Sequence, residues 1–222
     1  MIIVHHLNNS RSLRIIWLLE ELELEYEIKH YQREKSWRAP LEYKKLHPLG
    51  YSPVITDGEV TLGESGAIIE YILQQHGQNK LKPTLGSKEW VDYLFWLHFA
   101  EGTFMPVLFL KLVISKVHQK SPFFIKPVTK KINSIINREV VMPRLLTQIG
   151  YIESKLNNNE WLLGENFSAA DIQLAIPLIW ANTDAKLLEN RPNILAYLAR
   201  LKERPAYKIA LEKGGSVSRI AD

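Results

Sequence analysis

Ser10 stands between an apolar, β-rich run, Ile2–Leu7, and a stretch with helical spacing, so its hydroxyl falls at a strand-to-helix junction. A hydroxyl there can cap the helix, or it can donate to an anion drawn to the helix start. Local sequence alone favours the cap. Glu64-Ser65-Gly66 opens another apolar helical pattern and poses the same choice, though a cap accounts for the serine and not for the acid before it. The seven histidines do not converge. His5 and His6 are strand neighbours facing opposite sides, and His98 with Glu101 is a lone pair three residues apart, so no metal is expected. There is no cysteine, which excludes disulfides, zinc–thiolate and iron–sulfur sites and any mechanism based on a protein thiol. Any sulfur chemistry must come from a ligand.

The elements that position these residues come in two styles. Up to residue 77, strand and helix patterns alternate. Ile2–Leu7 reads as a buried strand, 11–24 as a helix built on Leu13, Ile16, Trp17 and Leu19, and Tyr26–Tyr31 as a second strand, a parallel βαβ unit. Leu41–Leu46 reads as a short helix, ended by His47-Pro48-Leu49-Gly50. Pro53–Thr56 and Glu59–Leu62 form a hairpin around Asp57-Gly58, before a helix that stops at Gly77. Residues 78–86, rich in Gln, Asn, Lys, Pro and Gly, read as a linker. From 87 to 222 only helical patterns follow, at 87–118, 128–156, 169–182, 191–201 and 205–213. Ser168 and Asp171 are spaced as a capping box. The expectation is an α+β module of order βαβ-α-ββ-α over 1–77, joined to an all-helical module over 87–222.

The 222 residues carry 28 Lys+Arg against 24 Asp+Glu, a net charge of +4. That suits small acidic ligands but is too weak for nucleic acid, and the early helix is acidic, with Glu20, Glu21, Glu23, Glu25 and Glu27. No charge-free apolar run is long enough to span a bilayer, and the start lacks the pattern of a signal peptide, so a cytoplasmic location is expected. Phe104–Arg138 contains no acid but holds Lys111, Lys116, Lys120, Lys126, Lys130, Lys131 and Arg138. A solvated helix–turn–helix tip, broken by Pro122 and Pro127, accounts for it better than a basic rim for anionic ligands or membranes.

The chain resembles the cytosolic glutathione transferases over nearly its whole length. The resemblance is carried by Ser10-Arg11-Ser12-Leu13-Arg14 with Trp17-Leu18-Leu19, then Trp37-Arg38-Ala39-Pro40, His47-Pro48-Leu49-Gly50, Ser52-Pro53, Glu64-Ser65-Gly66 and the Ser168/Asp171 segment, in that order. It is nearest to the fungal-type and related bacterial members with serine at the first strand–helix junction. The resemblance implies a thioredoxin-like N-terminal domain, a helical-bundle C-terminal domain, glutathione as co-substrate and a symmetric homodimer.

Conjugation requires the glutathione thiolate. Lowering a thiol pKa by about two units from 8.5 needs about 2.7 kcal/mol of preference for the anion. A hydrogen bond to a charged group supplies about 1.5–3 kcal/mol, and a helix N-terminus about 0.3–1. One hydroxyl at the start of a helix is therefore about enough. With the resemblance added, Ser10 is the expected catalytic donor, with Asn9, Arg11 and Ser12 as fallbacks. Ser65 would take the γ-glutamyl carboxylate and Glu64 its amine. The resemblance implies that Pro53 is cis, turning the backbone of Ser52 toward the cysteinyl part. Trp37, Arg38 and Tyr51 are the candidates by position for the glycyl carboxylate. Tyr51 stands where serine-type relatives often carry lysine, a loss that Arg38, Lys44 or Lys45 would have to make good. Phe95, Phe99, Thr103, Phe104 and Met105 are expected to line the site for a hydrophobic electrophile. The expected activity is transfer of glutathione to an alkyl or aryl electrophile. Glutathione-dependent peroxide or disulfide reduction, or ligand binding without catalysis, are the alternatives.

Overall fold

A computed structural model describes residues 1–215, with the side chains of all of these except 185 and 186. Residues 216–222, the end of the expected helical module, lie outside the described residues. The first part is a four-stranded sheet of order β2-β1-β3-β4, with β1 at Ile2–Leu7, β2 at Tyr26–Tyr31, β3 at Val54–Asp57 and β4 at Val60–Gly63. β1 runs parallel to β2, with α1 (Ser12–Glu21) as the crossover, and antiparallel to β3. The short helix α2 (Leu41–Lys44) and α3 (Ser65–Gln75) complete the βαβ-α-ββ-α order expected from the sequence.

The hairpin turn differs by one residue from expectation. Asp57 pairs with Val60 in the ladder, so the two-residue loop is Gly58-Glu59. Gly58 has φ +58° while Glu59 is not in the positive region, as a turn with glycine at its first central position requires. Asp57 is thereby kept on the sheet, where it accepts from the Tyr71 hydroxyl and bonds His76, holding α3 to the strand before it.

The helical part contains α4 (Lys88–Phe99), α5 (Met105–Lys120), α6 (Lys126–Ile136), α7 (Met142–Leu156), α8 (Ala169–Asn182), α9 (Ala185–Leu188), α10 (Pro192–Glu203) and α11 (Pro205–Gly214). Single π turns, Ala100–Phe104 and Asn137–Val141, join α4 to α5 and α6 to α7. Each precedes a proline, Pro106 or Pro143, which lacks an N–H and clashes with the carbonyl four residues back. Lys88–Lys120 is thus one helical stretch, long and apolar enough by composition to cross a membrane. Tyr93, Trp96, Leu97, Phe104 and Leu108 along it belong to the main core, which marks it as a core helix.

α8 is buried on nearly every side and carries its start signal in the sequence. The Asp171 carboxyl accepts from the Ser168 backbone N–H and hydroxyl, both at 2.8 Å, from the Leu162 N–H at 3.0 Å and from the Tyr197 hydroxyl at 3.0 Å. A capping box is local chemistry, so it is legible in order and spacing alone. Asp171→Asn keeps the volume but turns an amide toward donors. It is expected to cost about 2 kcal/mol, read as a lower urea midpoint at unchanged slope.

Candidate functional site

The α1 N-terminus meets the segment leading into β3 at a chain of hydroxyls. Ser10 is only 7% exposed, in the turn before α1, whose first residue is Ser12. Its Oγ lies 2.8 Å from Ser52 Oγ and 2.7 Å from Ser12 Oγ. Ser12 Oγ lies 2.8 Å from His6 Nδ1. The Ser52–Pro53 bond is cis. Ser10 accepts from the Ser12 N–H at 3.3 Å, a weak version of the expected cap, and the cap position itself is held by Arg11 without a side-chain bond.

The hydrogen directions follow from His6. Burial pulls its pKa down to about 4, with His30 adding like-charge repulsion and a bond to the Gly214 backbone opposing both. The ring is neutral near pH 7. A neutral imidazole has one N–H and one acceptor nitrogen, so Nδ1 can take either role toward Ser12. With Nδ1 as the acceptor, Ser12 gives its one proton to His6 and Ser10 donates to Ser12.

His6 also sets a pH dependence. Its folded pKa is depressed, so the unfolded chain binds its proton near 6.5 while the folded chain does not until about pH 4. Stability falls as pH drops through that window. The loss attributable to His6 between pH 7 and pH 5 is about 1–2 kcal/mol. His6→Gln, still an acceptor for Ser12, should show a correspondingly shallower decline in urea midpoint. Parallel declines would remove His6 as the cause.

α2 fixes the loop that delivers Ser52. Tyr43 is buried with Leu7, Ala39 and Val54, and its hydroxyl donates to the His5 carbonyl at 3.1 Å. Burial raises the Tyr43 pKa to about 12, which keeps it a donor. On the far side, Met105, Phe109, Ile176 and Trp180 face Asn9, Ser10, Arg11, Arg33 and Ser52 across a cavity of about 150 Å³. A second recess, lined by Leu108, Lys111, Leu112, Ser115, Trp180 and Leu187, lies further along α5 and shares Trp180 with the first. The Trp180 Nε1 is buried without a hydrogen-bond partner among the described residues.

Ser65, at the first turn of α3, is buried and held from two sides. Gln173 donates to its Oγ at 3.2 Å and Arg14 at 3.4 Å. With both contacts accepted, the Ser65 hydroxyl proton is free to point elsewhere. Glu64, exposed beside it, has φ +69°. Arg14 is wholly buried and lies 2.7 Å from Glu101, which also pairs with Arg11 at 2.9 Å.

Sequence and structural comparison places this arrangement. Residues 1–74 match the family model described as glutathione S-transferase, N-terminal domain, and residues 116–205 match its C-terminal domain. The chain belongs to the glutathione S-transferase family. It is 37% identical over 213 residues to Glutathione S-transferase 3 of Schizosaccharomyces pombe, covering 96% of this chain and 88% of that one. It is 33% identical over 221 residues to Glutathione S-transferase 1 of Saccharomyces cerevisiae, covering 95% and 94%. A crystal structure of a glutathione S-transferase from Actinobacillus pleuropneumoniae superposes with TM-score 0.76 at 32% identity, covering 100% of this chain and 98% of that one.

Within this glutathione S-transferase fold, several expected site residues stand elsewhere. Phe99 and Phe104 are core residues that stack on each other, and Thr103 is exposed, with its carbonyl accepting from Gln148. Phe95 is half-exposed against Tyr151. Only Met105 of that set lines the cavity. Past the π turn, whose extra residue rotates the face that follows it, Met105 and Phe109 line the cavity and Leu108 the second recess. Trp37, Arg38 and Tyr51 are exposed and line none of the cavity, Tyr51 being 69% exposed. Arg33, which the sequence did not single out, does line it. Its Nε donates to the Asn8 carbonyl and its NH1 to the Trp37 carbonyl.

Proposed function

We propose that the protein binds glutathione at the N-terminal end of β3, holds its sulfur as thiolate at Ser10, and delivers it to a hydrophobic electrophile bound against Met105, Phe109 and Trp180. The observation that carries this reading is the Ser10 hydroxyl beside Ser52, facing an apolar recess across one cavity. An arriving thiolate competes with Ser12 for the Ser10 proton, and a charged acceptor makes the stronger bond. The γ-glutamyl carboxylate would take the free Ser65 hydroxyl at the α3 N-terminus, with Glu64 for the amine. Arg33, which lines the cavity as Arg38 and Tyr51 do not, is the cation we assign to the glycyl carboxylate. A second copy would cover the apolar Val91, Phe95 and Tyr151 face to form the homodimer.

Two measurements test the proposal. Calorimetry with glutathione should show binding below millimolar concentration. A titration of the far-ultraviolet thiolate absorbance of the complex should give a sulfur pKa near 6.5, about two units below the free thiol. Absence of binding, or a bound thiol that titrates as in buffer, overturns it. Comparing an aryl halide with an organic peroxide then separates conjugation from peroxide reduction.

A further inference from the structure

The tip between α5 and α6 exposes side chains that a solvated hairpin has no use for. Phe123 and Phe124 are 85% and 67% exposed, adjacent and edge-to-face at 5.5 Å. α6 has no buried residue at all. Ile125, Val128, Ile132 and Ile135 recur at helical spacing along one side of it, and all four are exposed. Lys126, Lys130 and Lys131 project from the remainder, exposed, and Lys120 closes the other side of the tip. No acid occurs between Glu101 and Glu139.

We infer that this tip docks on an anionic phospholipid bilayer, with Phe123 and Phe124 entering the interface and α6 lying along it. A basic helix with an apolar stripe and flanking aromatics has the composition of an interfacial helix. The cations match an anionic headgroup layer, and their aliphatic stems can follow the apolar stripe while the ammonium groups stay at phosphate depth. A second copy pairing through this same face would bring two sets of lysines together with no acid to offset them. The convex, protruding phenylalanines fit a deformable surface rather than a preformed groove. The inference is independent of the thiolate chemistry, since none of these residues lines the site.

The test uses the full chain with phosphatidylserine-containing and pure phosphatidylcholine vesicles in a sedimentation assay. The wild type should sediment with the anionic vesicles, with partitioning at least tenfold weaker on the neutral ones, and most of it lost between about 0.1 M and 1 M salt. Phe123→Ser/Phe124→Ser and Lys126→Gln/Lys130→Gln/Lys131→Gln should each weaken partitioning by about tenfold or more. Glutathione conjugation in free solution and the oligomeric state by light scattering should not change. Wild type that stays in the supernatant overturns the inference, as does sedimentation that neither variant reduces. A change of oligomeric state in the phenylalanine variant also overturns it, by assigning the tip to a second copy.

Discussion

Ser10→Ala should lower conjugation about fiftyfold at pH 6.5 and less than about threefold at pH 9. The asymmetry is the signature of a donor that acts on a thiolate. A pKa drop of two units is about 2.7 kcal/mol of anion preference, within what a charge-assisted hydrogen bond and a helix terminus supply together. Below both pKa values the thiolate fractions of wild type and variant differ by the full factor. Above 8.5 both sulfurs are ionised and the difference closes. Ser52, 2.8 Å from Ser10, is the hydroxyl placed to substitute for it. Ser10→Ala/Ser52→Ala therefore separates a residual contribution of Ser52 from the intrinsic thiol. A loss of equal size at every pH would mean that the alanine disturbs the α1 turn rather than the sulfur. Equal rates at pH 6.5 would take Ser10 out of the chemistry.

What the sequence discloses of this protein follows the range over which each signal acts. Strands, helices and the capping box are local, so Ile2–Leu7, Tyr26–Tyr31 and the Ser168/Asp171 start of α8 are visible from pattern alone. The phase of α5 is not. A helix read as continuous from 87 to 118 does not disclose the π turn at Ala100–Phe104, after which Met105 and Phe109 line the cavity while Phe104 packs in the core. Pro106 was the available signal, since a proline inside a helical pattern demands some local adjustment. The loop between β2 and α2 obeys no period. Arg33, which lines the cavity, is fixed by backbone carbonyls at Asn8 and Trp37, and no side-chain spacing announces such contacts. The hydroxyl chain from Ser52 to His6 joins residues 46 positions apart through a strand pairing. Only the fold brings them together.

Glu101→Ala should be the most destabilising of the changes considered, by about 3–5 kcal/mol, because it leaves a buried guanidinium without a counter-charge. Arg14 has no exposed surface, and its Nε and one terminal nitrogen find no hydrogen-bond partner among the described residues. Burial pulls its pKa down while Glu101 pushes it back up, so the carboxylate is what makes the charge tolerable there. The pair also spans the molecule: Arg14 lies on α1, Glu101 in the π turn after α4, and the Arg14 contact continues to Ser65 on α3. A double-mutant cycle with Arg14→Met and Glu101→Leu separates stability from binding. Replacing both charges by apolar groups of similar length should recover at least half of the loss, since a buried ion pair gains little over a packed apolar one. Binding should not recover with it. Ser65 would then keep only Gln173 to orient its hydroxyl, and the glutathione Kd should stay raised by about fivefold or more, the effect of losing one modest hydrogen bond. Urea unfolding and calorimetry on the same four proteins decide both points. If Glu101→Ala costs less than about 1 kcal/mol, the pair behaves like an exposed one, and its control over Ser65 falls with it.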